Sequence, residues 1–128
     1  MEWTFHSDQP IYAQLVEQLR LAIVSGEFVP GARLSSVRDM ATEAGVNPNT
    51  LQRALQELER TGLVYSQRTA GRFVTEDTAL IAREKKAVAG ERVSAFLTAM
   101  EKLGFGPEEI ISLLRENKEE DHGSDSDL

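Results

Sequence analysis

Asn49, Gln52, Arg53, Gln56 and Arg60 fall at helical spacing, with Thr50 on their flank, so at 3.6 residues per turn they share one face. Amides donate and accept at base edges, guanidiniums grip guanine or phosphate, and hydroxyls hold phosphate oxygens: this is the chemistry of major-groove recognition. An ordinary solvated helix would more often carry Glu–Lys ladders there. That plainer account fits any one of these residues alone, and the neighbouring elements weaken it. Enzyme chemistry is poorly provided. The chain has no Cys and only two His, His6 and His122, neither near a suitable base, and it has no glycine loop shaped to cradle phosphates. No catalytic residue, cofactor or metal is expected.

The elements that must hold this face are written nearby. Leu51, Ala54, Leu55 and Leu58 follow the i, i+3, i+4, i+7 rule on the opposite side, so the helix packs by that stripe. Asn47 can cap it, Pro48 suits its first position, and Gly62 can take the left-handed stop. Upstream, Ser36-Val37-Arg38-Asp39 has the form of a capping box. Val37, Met40, Ala41 and Ala44 supply the buried stripe of a short helix ended by Gly45. Only Gly45 and Val46 separate that helix from Asn47, so the pair reads as a helix-turn-helix.

An earlier helix opens at Asp8 or Gln9 with Pro10. Its core face is Ile11, Leu15, Leu19, Ala22 and Ile23, supplemented by Tyr12 and Val16, and it stops at Ser25-Gly26. Pro30-Gly31 makes a turn before Arg33-Leu34. For His6, in the short lead, a place in a mobile segment and a specific role are equally open. After Gly62 the period changes: 63–66 and 72–75 are β-prone runs flanking 67–71, which predicts a hairpin turned at Gly71. A hairpin directly after a reading helix is a wing, with Arg68 and Arg72 placed to meet backbone or minor groove. The plainer account of those two is a charged hairpin that resists edge pairing.

With these motifs in hand, the chain resembles the DNA-binding domain of the GntR family of bacterial transcription regulators. The resemblance is carried by Pro10-Ile11-Tyr12, Ser25-Gly26 with Pro30-Gly31, Leu34-Ser35-Ser36-Val37-Arg38-Asp39-Met40-Ala41, Val46-Asn47-Pro48-Asn49-Thr50, Leu58-Glu59-Arg60-Thr61-Gly62-Leu63-Val64 and Gly71-Arg72-Phe73-Val74. It spans roughly residues 9 to 75. It implies a winged helix-turn-helix that binds a near-palindromic operator as a dimer, and it aligns Arg38, Asn49, Thr50, Gln52 and Arg68 with positions that commonly touch DNA. The helical-face and wing arguments add Arg53, Gln56, Gly71 and Arg72, and Arg33 is a phosphate candidate. The family commonly has Pro at Ser35, often Arg at Pro48 and Gly at Thr69; Pro48 removes a possible DNA-contacting guanidinium while improving the helix start.

A net charge of −7 argues by itself against a nucleic-acid partner. Its distribution along the chain argues the other way. Residues 1–76 carry a net of −2, and the last thirteen residues alone carry −5. Six of the seven Arg of the first part fall within residues 33–72, so a locally positive face is available, with binding that is modest and salt-sensitive. No apolar run reaches membrane-spanning length, and the N-terminus has no leader pattern; a cytoplasmic protein is expected, with no membrane partner.

From residue 77 the chain is strongly helical. Gly90 interrupts, and Val93, Phe96, Leu97, Met100 and Leu103 resume an apolar stripe rotated to roughly the opposite face from Leu80, Ile81, Ala87 and Val88. Gly104-Phe105-Gly106-Pro107 stops one helix and starts another, in which Ile110, Ile111, Leu113 and Leu114 form an amphipathic face and Glu108 and Glu109 suit the N-terminus. Two such helices cannot bury these groups alone. A second copy of the chain is the expected cover, in a dimer interface of Val93, Phe96, Leu97, Met100, Leu103, Phe105, Ile110, Ile111 and Leu114. This short appendage is similar to that of the YtrA subfamily, whose members often regulate transporter genes.

The expected fold is therefore mainly α with a small β-wing: a winged helix-turn-helix over 1–76, a two-helix dimerisation segment over 77–117, and a disordered acidic tail over 118–128. The expected function is a sequence-specific repressor with double-stranded DNA and itself as partners. The alternative is a winged-helix adaptor that binds protein, for which the reading face would have to be apolar or acidic. The sequence names no effector.

Overall fold

Apolar stripes become packing in the first of two units. The structure, a computed structural model, describes the backbone of residues 1–126 and the side chains of residues 1–119. It divides into unit 1, Met1–Ala87, and unit 2, from Val88 onward. Three helices open unit 1: α1 (Ile11–Val24), α2 (Val37–Ala44) and α3 (Pro48–Arg60). Leu15, Leu19 and Ile23 of α1, Met40 and Ala41 of α2, and Leu51, Ala54, Leu55 and Leu58 of α3 form one buried cluster. Burial of a side chain of this size stabilises by about 1.5–3 kcal/mol, which makes these stripes the main reason the three helices assemble.

The helix ends follow the local chemistry. Ser36 Oγ accepts from the Asp39 N–H at 3.1 Å and Asn47 Oδ1 from the Asn49 N–H at 2.8 Å. Gly45 sits at φ 70°, ψ 36° between them, a conformation that favours glycine.

The hairpin consists of β1 (Val64–Gln67) and β2 (Gly71–Val74), antiparallel with Val64 opposite Val74 and Ser66 opposite Arg72. Residues 31–34 also pair with β2, through Gly31 N–H to Val74 O, Val74 N–H to Ala32 O and Leu34 N–H to Arg72 O at 2.9–3.0 Å. The stretch expected only to lead into α2 thus braces the wing on its outer side. At the turn, Thr69 has φ 67°, where the family it resembles commonly has glycine and where a β-branched side chain is strained.

The lead is held against α1, so of the two openings left for His6 the structure favours the specific one. Gln14 is buried and exchanges both bonds with His6, accepting from its N–H at 2.7 Å and donating to its carbonyl at 2.8 Å. Gln18 does the same for Thr4. Two carboxamides one helical turn apart thereby grip alternate residues of an extended segment. Trp3 and Phe5, stacked at 6.1 Å, pack on the core.

Helix α4 runs unbroken over Thr78–Lys102, through Gly90. Asp77 Oδ1 caps it by accepting from the Leu80 N–H. Leu80 and Ile81 pack on the unit 1 core, which is why the division falls within α4 rather than at residue 76. In unit 2, α5 covers Pro107–Ser126, with Glu109 accepting from the Gly106 N–H at its start. The tail expected from 118 begins inside the span of α5, and the side chains beyond 119 are outside the described residues. Residues 127 and 128 of that tail lie outside the described residues. Of the expected dimer residues, Val93, Phe96, Leu97, Leu103, Ile111 and Leu114 are exposed, Met100 and Phe105 half-buried, and Ile110 buried. No helix of the described residues is long and apolar enough to cross a membrane.

Candidate nucleic-acid interface

Packing by Leu51, Ala54, Leu55 and Leu58 turns the other face of α3 outward. Asn49, Arg53 and Gln56 are exposed, and Thr50 and Gln52 are half-buried at its edges. The Arg53 guanidinium lies over the Tyr12 ring, 4.6 Å from its centroid. Such a cation–π contact restrains the side chain while leaving its hydrogen-bond donors available. Tyr12 therefore orients Arg53, a role that its reading as a core supplement had missed; the only sequence signal was its aromatic type at the start of α1.

Arg60 is diverted from this face. It donates to both carboxylate oxygens of Glu57, at 2.6 and 2.9 Å. The Arg60 hydrogen bond in turn holds the half-buried Glu57 carboxyl below its ordinary value.

Arg72 is placed differently from a free wing-tip contact. Its side chain is 18% exposed; Nε donates to Glu59 Oε1 at 2.8 Å and Nη1 to Gln52 Oε1 at 3.1 Å. The Ser66 hydroxyl donates to the same Glu59 oxygen. Burial works to raise the Glu59 pKa, and the hydrogen bonds from Ser66 and Arg72 outweigh it, so the carboxyl lies below its ordinary value. The wing is thereby tied to α3 through a chain that runs Ser66, Glu59, Arg72, Gln52. Glu59 and Ser66 were not among the candidate residues; the seven-residue spacing of Gln52 and Glu59, which puts them on one helix face, was the available signal.

The remaining candidates lie around this centre. Arg38 is exposed on α2 and Arg68 is exposed in the hairpin turn. Arg33, exposed, lies against the wing: a Cβ on Gly71 would stand 3.2 Å from its Nε, and Gly71 itself has φ 110°. Glycine is needed at 71 for both reasons. The seven arginines of residues 1–76 thus fall into two sets. Arg20, Arg60 and Arg72 each pair with a carboxylate. Among the described residues, no ion pair engages Arg33, Arg38, Arg53 or Arg68, which come from the edge of the wing, α2, α3 and the hairpin turn.

The family model described as "Bacterial regulatory proteins, gntR family" matches residues 11–74. The uncharacterized HTH-type transcriptional regulator YhcF of Bacillus subtilis is 38% identical over 111 residues, covering 87% of this chain and 92% of that protein. The HTH-type transcriptional repressor YtrA of Bacillus subtilis is 39% identical over 71 residues, 56% of this chain and 55% of that protein. Among solved structures, a GntR family transcriptional regulator from Listeria monocytogenes superposes with a TM-score of 0.82 at 38% identity, covering 88% of this chain and 98% of that one. The DNA-binding domain of AraR in complex with operator ORX1 superposes with a TM-score of 0.53 at 28% identity, covering 59% of this chain and 96% of that one.

Proposed function

This chain belongs to the gntR family of bacterial regulatory proteins, and from that premise we propose that it is a repressor that binds a near-palindromic operator as a homodimer, through the YtrA-like arrangement of a winged helix-turn-helix and a short helical appendage. The observation that carries the reading is the sorting of the arginines. Cations that serve the fold are paired with carboxylates, and the four without such partners, Arg33, Arg38, Arg53 and Arg68, come from the parts a winged helix-turn-helix turns to DNA. Asn49, Thr50, Gln52 and Gln56 supply the base-edge and phosphate hydrogen bonds between them. Gly71 keeps the wing close to Arg33.

The exposed apolar stripe of unit 2 supports dimerisation, since water-facing Val93, Phe96, Leu97, Leu103, Ile111 and Leu114 are stabilised by a self-complementary partner. Two copies would set two α3 helices into successive major grooves, roughly 34–36 Å apart. Transporter genes are the proposed targets, on the likeness to the YtrA-type appendage.

Capture from sheared genomic DNA at two salt concentrations tests the reading. A shared inverted repeat should be retained, and Arg53→Ala should fail to enrich it. Retention of no shared sequence by the unaltered protein would contradict it.

A further inference from the structure

Gln52 differs from the other amides of the reading face because one end of its carboxamide is already engaged. Arg72 Nη1 donates to Gln52 Oε1 at 3.1 Å. A guanidinium carries donors and no acceptor, so the oxygen, and not the nitrogen, of the amide must face it. What remains to meet a base is the NH2 group. An unconstrained Gln pairs with adenine by donating to N7 and accepting from N6. With its oxygen turned to Arg72 that bidentate pairing is denied, and the adenine amino group would confront amide hydrogens. A donor end instead matches N7 and O6 of guanine or O4 of thymine.

The orientation is not a loose surface contact. Arg72 Nε is fixed by Glu59 Oε1 at 2.8 Å, and Glu59 is fixed in turn by Ser66, the cross-strand partner of Arg72 in the hairpin. Gln52 and Glu59 stand seven residues apart on one face of α3, and the guanidinium bridges them. We propose that Arg72, held by Glu59, is a positioning residue that presents Gln52 as a hydrogen-bond donor only, so that the base Gln52 reads is guanine or thymine and not adenine. The inference rests on the operator-binding reading given above.

Selection from randomised duplexes, carried out with the full chain and with Gln52→Ala, Arg72→Met and Gln52→Glu, tests it. Gln52→Ala identifies the position read, as the column that loses its preference. There the unaltered protein should favour G or T over A by roughly tenfold. Arg72→Met keeps an unbranched stem and removes the donors, and should bring A to parity or above. Gln52→Glu keeps an acceptor for Arg72 and loses the donor, so it should abolish the G or T preference even if Arg72→Met folds poorly. The proposal is overturned by adenine in the unaltered column, by Arg72→Met weakening all sequences equally with the column unchanged, or by no column responding to Gln52→Ala. In each of those cases a sharp operator would still stand and the DNA-binding reading with it; enrichment of no sequence by the unaltered protein would remove both.

Discussion

The two units treat the same kind of residue in opposite ways. In unit 1 the leucines of α3 are sealed, Leu55 at 0% exposure, while in unit 2 Leu103 is 72% exposed and Val93 55%. Both sets follow helical periodicity, and both belong to helices of good length. The difference is that α3 meets α1 and α2 on one side and the hairpin at its end, whereas the described part of unit 2 offers only α5 to cover α4. A periodic stripe therefore predicts a buried face without saying which molecule buries it. Unit 1 is a finished core, and unit 2 has an apolar face still to be covered.

The largest effect separates the units by truncation. Leu55→Ala should lower unfolding free energy by about 2–5 kcal/mol, read by urea titration. Leu103→Ala, at an already hydrated position, should change the unfolding of unit 1 little and act instead on self-association. If both variants lost the same stability at high dilution, the contrast between the units would fail.

Next comes the proposed apolar interface. Phe96→Asp with Leu97→Asp should shift the protein to monomer in sedimentation equilibrium and reduce affinity for a two-half-site operator at least tenfold, with the circular dichroism of unit 1 retained. A dimer that survived both substitutions would place the interface elsewhere.

Two smaller effects probe the wing. Thr69 holds φ 67° without being glycine, so Thr69→Gly should relieve strain partly offset by added chain entropy, a net gain of up to about 1 kcal/mol in thermal unfolding. The smallest effect is titration of Glu59. Its carboxyl lies below the ordinary value of 4.5 in the fold, so its contribution is fully present above that value and is lost as pH falls through the lower folded one. Glu59→Gln should flatten this part of the acid limb of a stability profile; an unchanged limb would remove the Glu59–Arg72 pair from the account.

Much of the fold was legible because its signals are local. The Ser36 and Asn47 caps reach only two or three residues ahead, and the stripes of α1, α2 and α3 repeat within each helix. The outward polar face of α3 was legible for the same reason. What was not legible depends on distant residues meeting. Arg72 reaches Glu59 and Gln52 across thirteen and twenty positions, so its turn away from a free wing-tip role required knowing where the hairpin docks. Likewise Gln14 and Gln18 look like ordinary polar positions of α1, and only the laid-down lead gives their amides a purpose. Residues 31–34 lack a strand pattern of their own and pair with β2 because the chain must pass it to reach α2.

In the proposed division of labour, unit 1 reads DNA and unit 2 brings two readers together. Comparing sequences selected from randomised duplexes by the unaltered protein and by the Phe96→Asp, Leu97→Asp variant tests both halves in one measurement. An inverted repeat is expected for the unaltered protein, and for the variant a single half-site of the same sequence with weaker retention. A non-symmetric site bound by the unaltered protein, or an inverted repeat retained equally by the variant, would contradict it.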